Sequence, residues 1–204
     1  DLDAGTALVA DNAITVDAVG ALTANAQSID LAKATTTAGS GLMDASNGAL
    51  TLGTTTINTS TLGLSSFGAM SLVGDILVNG TDFVADGQSI TMTSGTQLQT
   101  VGNATFTALD AISLETLNIG GDLDVTAQNL SERTQGSVGF NASVDTQAMT
   151  VLSANGMTLS ADINAVSIDL DAGTALVADN AITVDALGAL TANAESIDLS
   201  KATT

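Results

Sequence analysis

Any chemistry in this chain must come from carboxylates. Its 204 residues hold 22 Asp and Glu against three basic side chains, with no His, Cys or Tyr. The Ser–His, Cys–His and His-based acid–base arrangements are therefore unavailable. Asp169 and Asp171, and their equivalents Asp1 and Asp3, are spaced i,i+2. On a strand that spacing puts both carboxylates on one side, and carboxylate oxygens suit Ca²⁺. Asp17, Asp30, Asp185 and Asp198 would extend such a site to neighbouring repeats. The competing reading is a solvated acidic face. Solenoid enzymes that cleave acidic glycans set Asp clusters beside Arg or Lys, and residues 1–168 offer only Lys33 and Arg133. The expectation is a protein that is not an enzyme and needs no cofactor beyond weak Ca²⁺.

A second constellation is LSERTQGS at 130–137, where Glu132 stands in an apolar slot and Arg133 follows. It reads as a protruding loop and a candidate lateral docking point, though an exposed ion pair there would stabilise little. TTTAGSG at 35–41 and TTTINTST at 54–61 read as loops or widened corners, open to O-glycosylation. A formal net charge of -19 is the wrong sign for nucleic acid and for an anionic membrane surface. No apolar run approaches the ~20 residues of a membrane helix, and no basic-then-apolar leader is visible.

Repetition decides which elements carry these residues. Residues 1–36 recur at 169–204 with three changes, Val19/Leu187, Gln27/Glu195 and Ala32/Ser200, so the long period is 168. The chain reads as one full unit, 1–168, and the start of a continuous next copy, 169–204, cut from a longer array. A shorter beat lies inside. Apolar pairs enclosing a polar residue recur at Ile14/Val16, Ile29/Leu31, Leu50/Leu52, Met70/Leu72, Ile90/Met92, Ile112/Leu114, Met149/Val151, Ile168/Leu170, Ile182/Val184 and Ile197/Leu199. This is the period of a half-buried strand. Counted from Ile14 to Ile182, with Leu130 as a degenerate member, it gives nine rungs of about 19 residues per 168.

A second strand precedes each pair, anchored at Leu8, Leu22, Leu42, Leu64, Phe83, Phe106, Val125, Phe140, Leu159 and Leu176. Ala usually follows two residues later as a small inward residue near a corner, with Ser66 and Asp44 the exceptions. Asn12, Asn25, Asn47, Asn129, Asn164 and Asn180 read as corner residues that tolerate positive φ. Aligned, they could form amide ladders.

One such rung cannot offset a backbone ordering cost of roughly 1–2 kcal/mol per residue, so rungs must stack. The predicted fold is all-β: a right-handed parallel β-helix whose 168-residue unit rises about 43 Å at ~4.8 Å per rung. A hexapeptide helix needs a strict beat, a calcium β-roll needs repeated GGxGxD, and an immunoglobulin-like repeat needs turn prolines and an aromatic anchor. None is present. The outward mixture of Thr, Ser and Asp also argues against an ice-binding Thr array.

GALTANAQSIDL (20–31) and GTALVADNAITV (173–184) resemble the repeats of filamentous-haemagglutinin-type exoproteins, over essentially the whole chain. The resemblance implies an exported β-helix serving as an adhesin shaft or matrix fibre, in an extracellular or cell-surface location. The expected partners are further copies end to end, by covalent continuity or stacking, with lateral bundling. The alternative is an adhesive module that binds a host or neighbouring-cell ligand through side loops.

Overall fold

The computed structural model describes residues 1–127 and 136–204. These residues form strands and short turns, with no helix among them. Every strand pairing is parallel, and partners lie one coil apart in sequence. The chain is a β-solenoid whose coils are about 21 residues apart.

Each coil has three faces. Face one stacks Leu8, Ile29, Leu50, Met70, Ile90, Ile112, Val138, Met157, Leu176 and Ile197 in register. Face two stacks Val16, Thr36, Thr55, Ile76, Leu98, Leu117, Val144, Ile163 and Val184. Face three stacks Leu2, Ala24, Met43, Leu64, Ala85, Phe106, Val125, Val151, Leu170 and Ala192. Faces two and three are one sheet, because long strands such as Ile14–Ala26, Ala34–Ala45 and Ile163–Ala172 run from one into the other.

Leu8 and Leu176, one 168-residue period apart, are joined by eight pairing steps. The unit therefore holds eight coils of about 21 residues, not nine of 19. Its rise is ~38 Å at ~4.8 Å per coil. The difference has a simple cause: all three faces carry the same apolar–polar–apolar beat. Ile14 belongs to face two and Ile29 to face one, so that step was a partial coil. Met149 and Ile168 belong to face three, whereas Phe140 stacks on Leu114 in face one. Leu42 points outward while Met43 and Ala45 are buried, which removes Asp44 as an exception. TTTAGSG is not a loop: it lies within the strand Ala34–Ala45. In TTTINTST, Thr55–Ile57 is a strand and only the rest turns the corner.

The interior uses volume alternation rather than bulk. Phe83 lies in register with Ala104, and Ala85 with Phe106. The two rings meet diagonally at 5.2 Å between centroids, tilted by 48°. Large over small keeps each coil's contents near constant, which close packing requires. At the turn from face three to face one the buried column is Ala26, Ala45, Ser66, Gly87, Ala108, Ala127, Ser153 and Ala172. The Ser66 and Ser153 hydroxyls donate to the corner carbonyls of Gly68 and Gly156, each at 2.9 Å.

Stacking is also visible in the two near-identical segments. Leu22 is 4% exposed and its counterpart Leu190 38%; Ile29 is 1% exposed and Ile197 47%. Going the other way, Ile14 is 42% exposed and Ile182 only 5%. The residues are the same, and the coil above or below decides their burial.

Candidate functional site

Acidic residues occupy the outward columns under a consistent rule. On face three the column reads Asp3, Asn25, Asp44, Ser65, Asp86 in successive coils. Higher up it places Asp124, Thr150, Asp169, Thr191 in one column and Leu152, Asp171, Asn193 in the next. Face two carries Asp145, Asn164, Asp185, and face one sets Asp30 between Val9 and Thr51. In these ladders no Asp stands in register with another. Like charges directly opposite are destabilising, and a neutral residue between them doubles the separation to ~9.6 Å, two coil spacings.

This arrangement bears on the proposed cation ligands. Asp169 and Asp171 do share an outward face, as do Asp1 and Asp3 by sequence equivalence, and all four are exposed. The coil above them supplies Thr191 and Asn193, and the Asn193 amide donates to the Asp171 carboxylate at 3.2 Å. Asp17, Asp30, Asp185 and Asp198 lie on other faces. Among the described residues no group of three or more acidic, His or Cys side chains converges on a metal position.

Corners use side chains to cap backbone groups across coils. The Asp82 carboxylate accepts from the Asn103 N–H, the Asn103 side-chain oxygen from the Asp122 N–H, each at 2.9 Å, and the Asp122 carboxylate from the Ala148 N–H at 3.3 Å. Asp75 and Asp162 do the same for Gln97 and Thr183, at 3.0 and 2.7 Å. Buried Glu115 accepts from the N–H of Gly95, at 3.4 Å, where the backbone has a φ of 86°. The lysines serve the same end. Lys33 donates to the Asp11 carbonyl at 2.8 Å, and its counterpart Lys201 to the Asp179 carbonyl at 2.6 Å.

Of the named Asn residues, Asn12, Asn47 and Asn180 lie between strands. The Asn180 amide donates to the Ser160 carbonyl one coil below at 3.1 Å. Asn25 and Asn164 are not corner residues: both sit outward within strands, in the acidic columns. Asn129, Glu132 and Arg133 lie outside the described residues. The working ladder residue, Asn103, was not singled out, although its corner position follows once the third face is counted.

Asp198 has a shifted acidity. The Ser200 hydroxyl and backbone N–H, with Lys201 nearby, hold its carboxyl below the ordinary aspartate range.

Sequence reading also passed over Phe67. The beat Leu62, Leu64, Ser66 turns inward, so the next residue turns out, and Phe67 is 71% exposed. It borders an open depression of about 500 Å³ with Asp86, Gly87, Gln88, Thr107 and Leu109. A search of protein families, curated proteins and solved structures found no match to this chain.

Proposed function

We propose that this chain is a length of rigid shaft from an extracellular or cell-surface filament, giant adhesin or matrix fibre, of the filamentous-haemagglutinin-like kind. The observation that carries this reading is the unbroken stacking of like coils: the face-one column runs in register from Leu8 to Ile197, and residues 1–36 recur at 169–204. A stack of that kind extends by adding coils, whether in the same chain or from a second copy, and stability then scales with neighbour interfaces.

Stiffness follows from the parallel ladders on three faces, since bending would strain hydrogen bonds on every coil. The charge of -19 keeps rods apart at low ionic strength and makes lateral bundling dependent on salt or divalent cations. Catalysis plays no part in this role, and neither does nucleic acid or membrane insertion.

Electron microscopy of chains carrying one, two and three tandem 168-residue units tests the reading. Rods of constant width should lengthen by ~38 Å per unit, eight coils at ~4.8 Å. Globular beads on flexible connections, or rods that fail to lengthen in step, would remove it.

A further inference from the structure

The depression at Phe67 has the form of a binding slot rather than a random hollow. Phe67, Gln88 and Leu109 each follow the last inward residue of face three, Ser66, Gly87 and Ala108, in three successive coils. Phe67 and Leu109 are thus apolar walls two coils apart, ~9.6 Å at the usual strand spacing. The coil between them supplies the floor. Gly87 faces inward against the Ser66 hydroxyl, and exposed Gln88 and Asp86 form the outward floor between the walls. The Gln88 amide nitrogen is committed to the Asp110 carboxylate at 3.1 Å, which fixes the amide and turns its oxygen to accept.

We propose that this slot binds one ring of a neutral saccharide. A saturated ring lies on Phe67 at van der Waals contact, about 4 Å, above the Gln88 amide. Its apolar C–H face lies on Phe67, and its equatorial hydroxyls meet the Asp86 carboxylate, the Gln88 side-chain oxygen and the Thr107 hydroxyl. A purely apolar ligand would leave that polar floor unpaired, which is costly. An acidic saccharide meets Asp86, Asp110 and a chain of net charge -19. Three of the four Phe are fully buried and the chain has no Trp or Tyr, so Phe67 is the aromatic surface available for stacking. The site goes beyond the shaft role, because a rod with an empty slot is still a rod.

Saturation-transfer NMR on the whole chain tests it, with methyl β-D-glucopyranoside and methyl β-D-galactopyranoside as neutral probes, methyl β-D-glucuronide as the acidic one and benzyl alcohol as the apolar one. Transfer to at least one neutral pyranoside is expected, lost in Phe67→Ala, kept in Phe67→Tyr, and about tenfold weaker in Asp86→Asn through loss of a charge-assisted hydrogen bond. Phe67 is largely exposed, so circular dichroism of the Ala variant should match the parent. No transfer to either neutral probe overturns the proposal. So does transfer unchanged by Phe67→Ala, or a glucuronide or benzyl alcohol signal stronger than both neutral probes.

Discussion

At the scale of single residues, inward slots tolerate polarity only where a partner is in reach. Thr36 and Thr55 are neighbours in the face-two column, both buried. The Thr55 hydroxyl donates to the Gly53 carbonyl at 3.2 Å, whereas the Thr36 hydroxyl has no hydrogen-bond partner. An orphaned buried hydroxyl costs roughly 1–3 kcal/mol, and valine has the same shape. Thr36→Val should therefore raise the urea midpoint, by an amount equivalent to about 1 kcal/mol. A lower midpoint would mean that the hydroxyl makes a bond in solution. Asp198 offers a second residue-scale test. Its depressed acidity depends first on the Ser200 hydroxyl, and the equivalent of Ser200 in the first segment is Ala32. Ser200→Ala should move the Asp198 carboxyl back up toward the ordinary aspartate range in a carbon-13 NMR titration. Because the folded value is the lower one, whatever stability the interaction gives is present above the unfolded value and is lost as pH falls through the folded one.

At the scale of the coil, glycine marks where one corner rests on the next. A Cβ on Gly173 would run into the Ala154 carbonyl below, while one on Gly5, the same position of the repeat, would meet nothing within 4 Å. Gly173→Ala should destabilise by roughly 1–3 kcal/mol, as overpacking does, and Gly5→Ala should be nearly neutral. Paired thermal melts decide it, and equal effects would mean that coils do not stack as described. The stacked, all-β character was legible because the apolar–polar–apolar beat and the 168-residue identity are both written along the chain. The number of faces was not legible. Ile76/Val78 and Leu117/Ile119 on face two obey the same beat as Met70/Leu72 on face one, and a beat has no label saying which side of the triangle it lies on. Leu42 shows the same limit: Leu42 and Met43 have equal claim to the interior, and only alignment with Ala24 and Leu64 in the flanking coils selects Met43. The side slot needed that same phase, since Phe67 declares itself as an outward aromatic only after Ser66 is placed inside.

At the scale of the whole molecule, the problem is to stack 22 acids with almost no counter-charge. In-register parallel pairing would set like charges ~4.8 Å apart if neighbouring coils both carried Asp at one outward position. The Asp–neutral–Asp columns widen that to ~9.6 Å, near the Debye length of about 8 Å at physiological salt. Alternation thus makes a highly acidic rod compatible with its own ladders, and Asn25 and Asn164, read from sequence as corners, serve as spacers within it. Asn164→Asp tests this directly, because it would set three carboxylates, Asp145, residue 164 and Asp185, in consecutive coils. The variant should lose about 0.5–1 kcal/mol at low ionic strength and regain most of it near 1 M NaCl, where the screening length is about 3 Å. Asn164→Ser, which keeps the column neutral at that coil, should show no such salt dependence. If the Asp variant melts with the parent at both salt levels, charge spacing is not what selects these residues, and the outward columns are set by solubility alone.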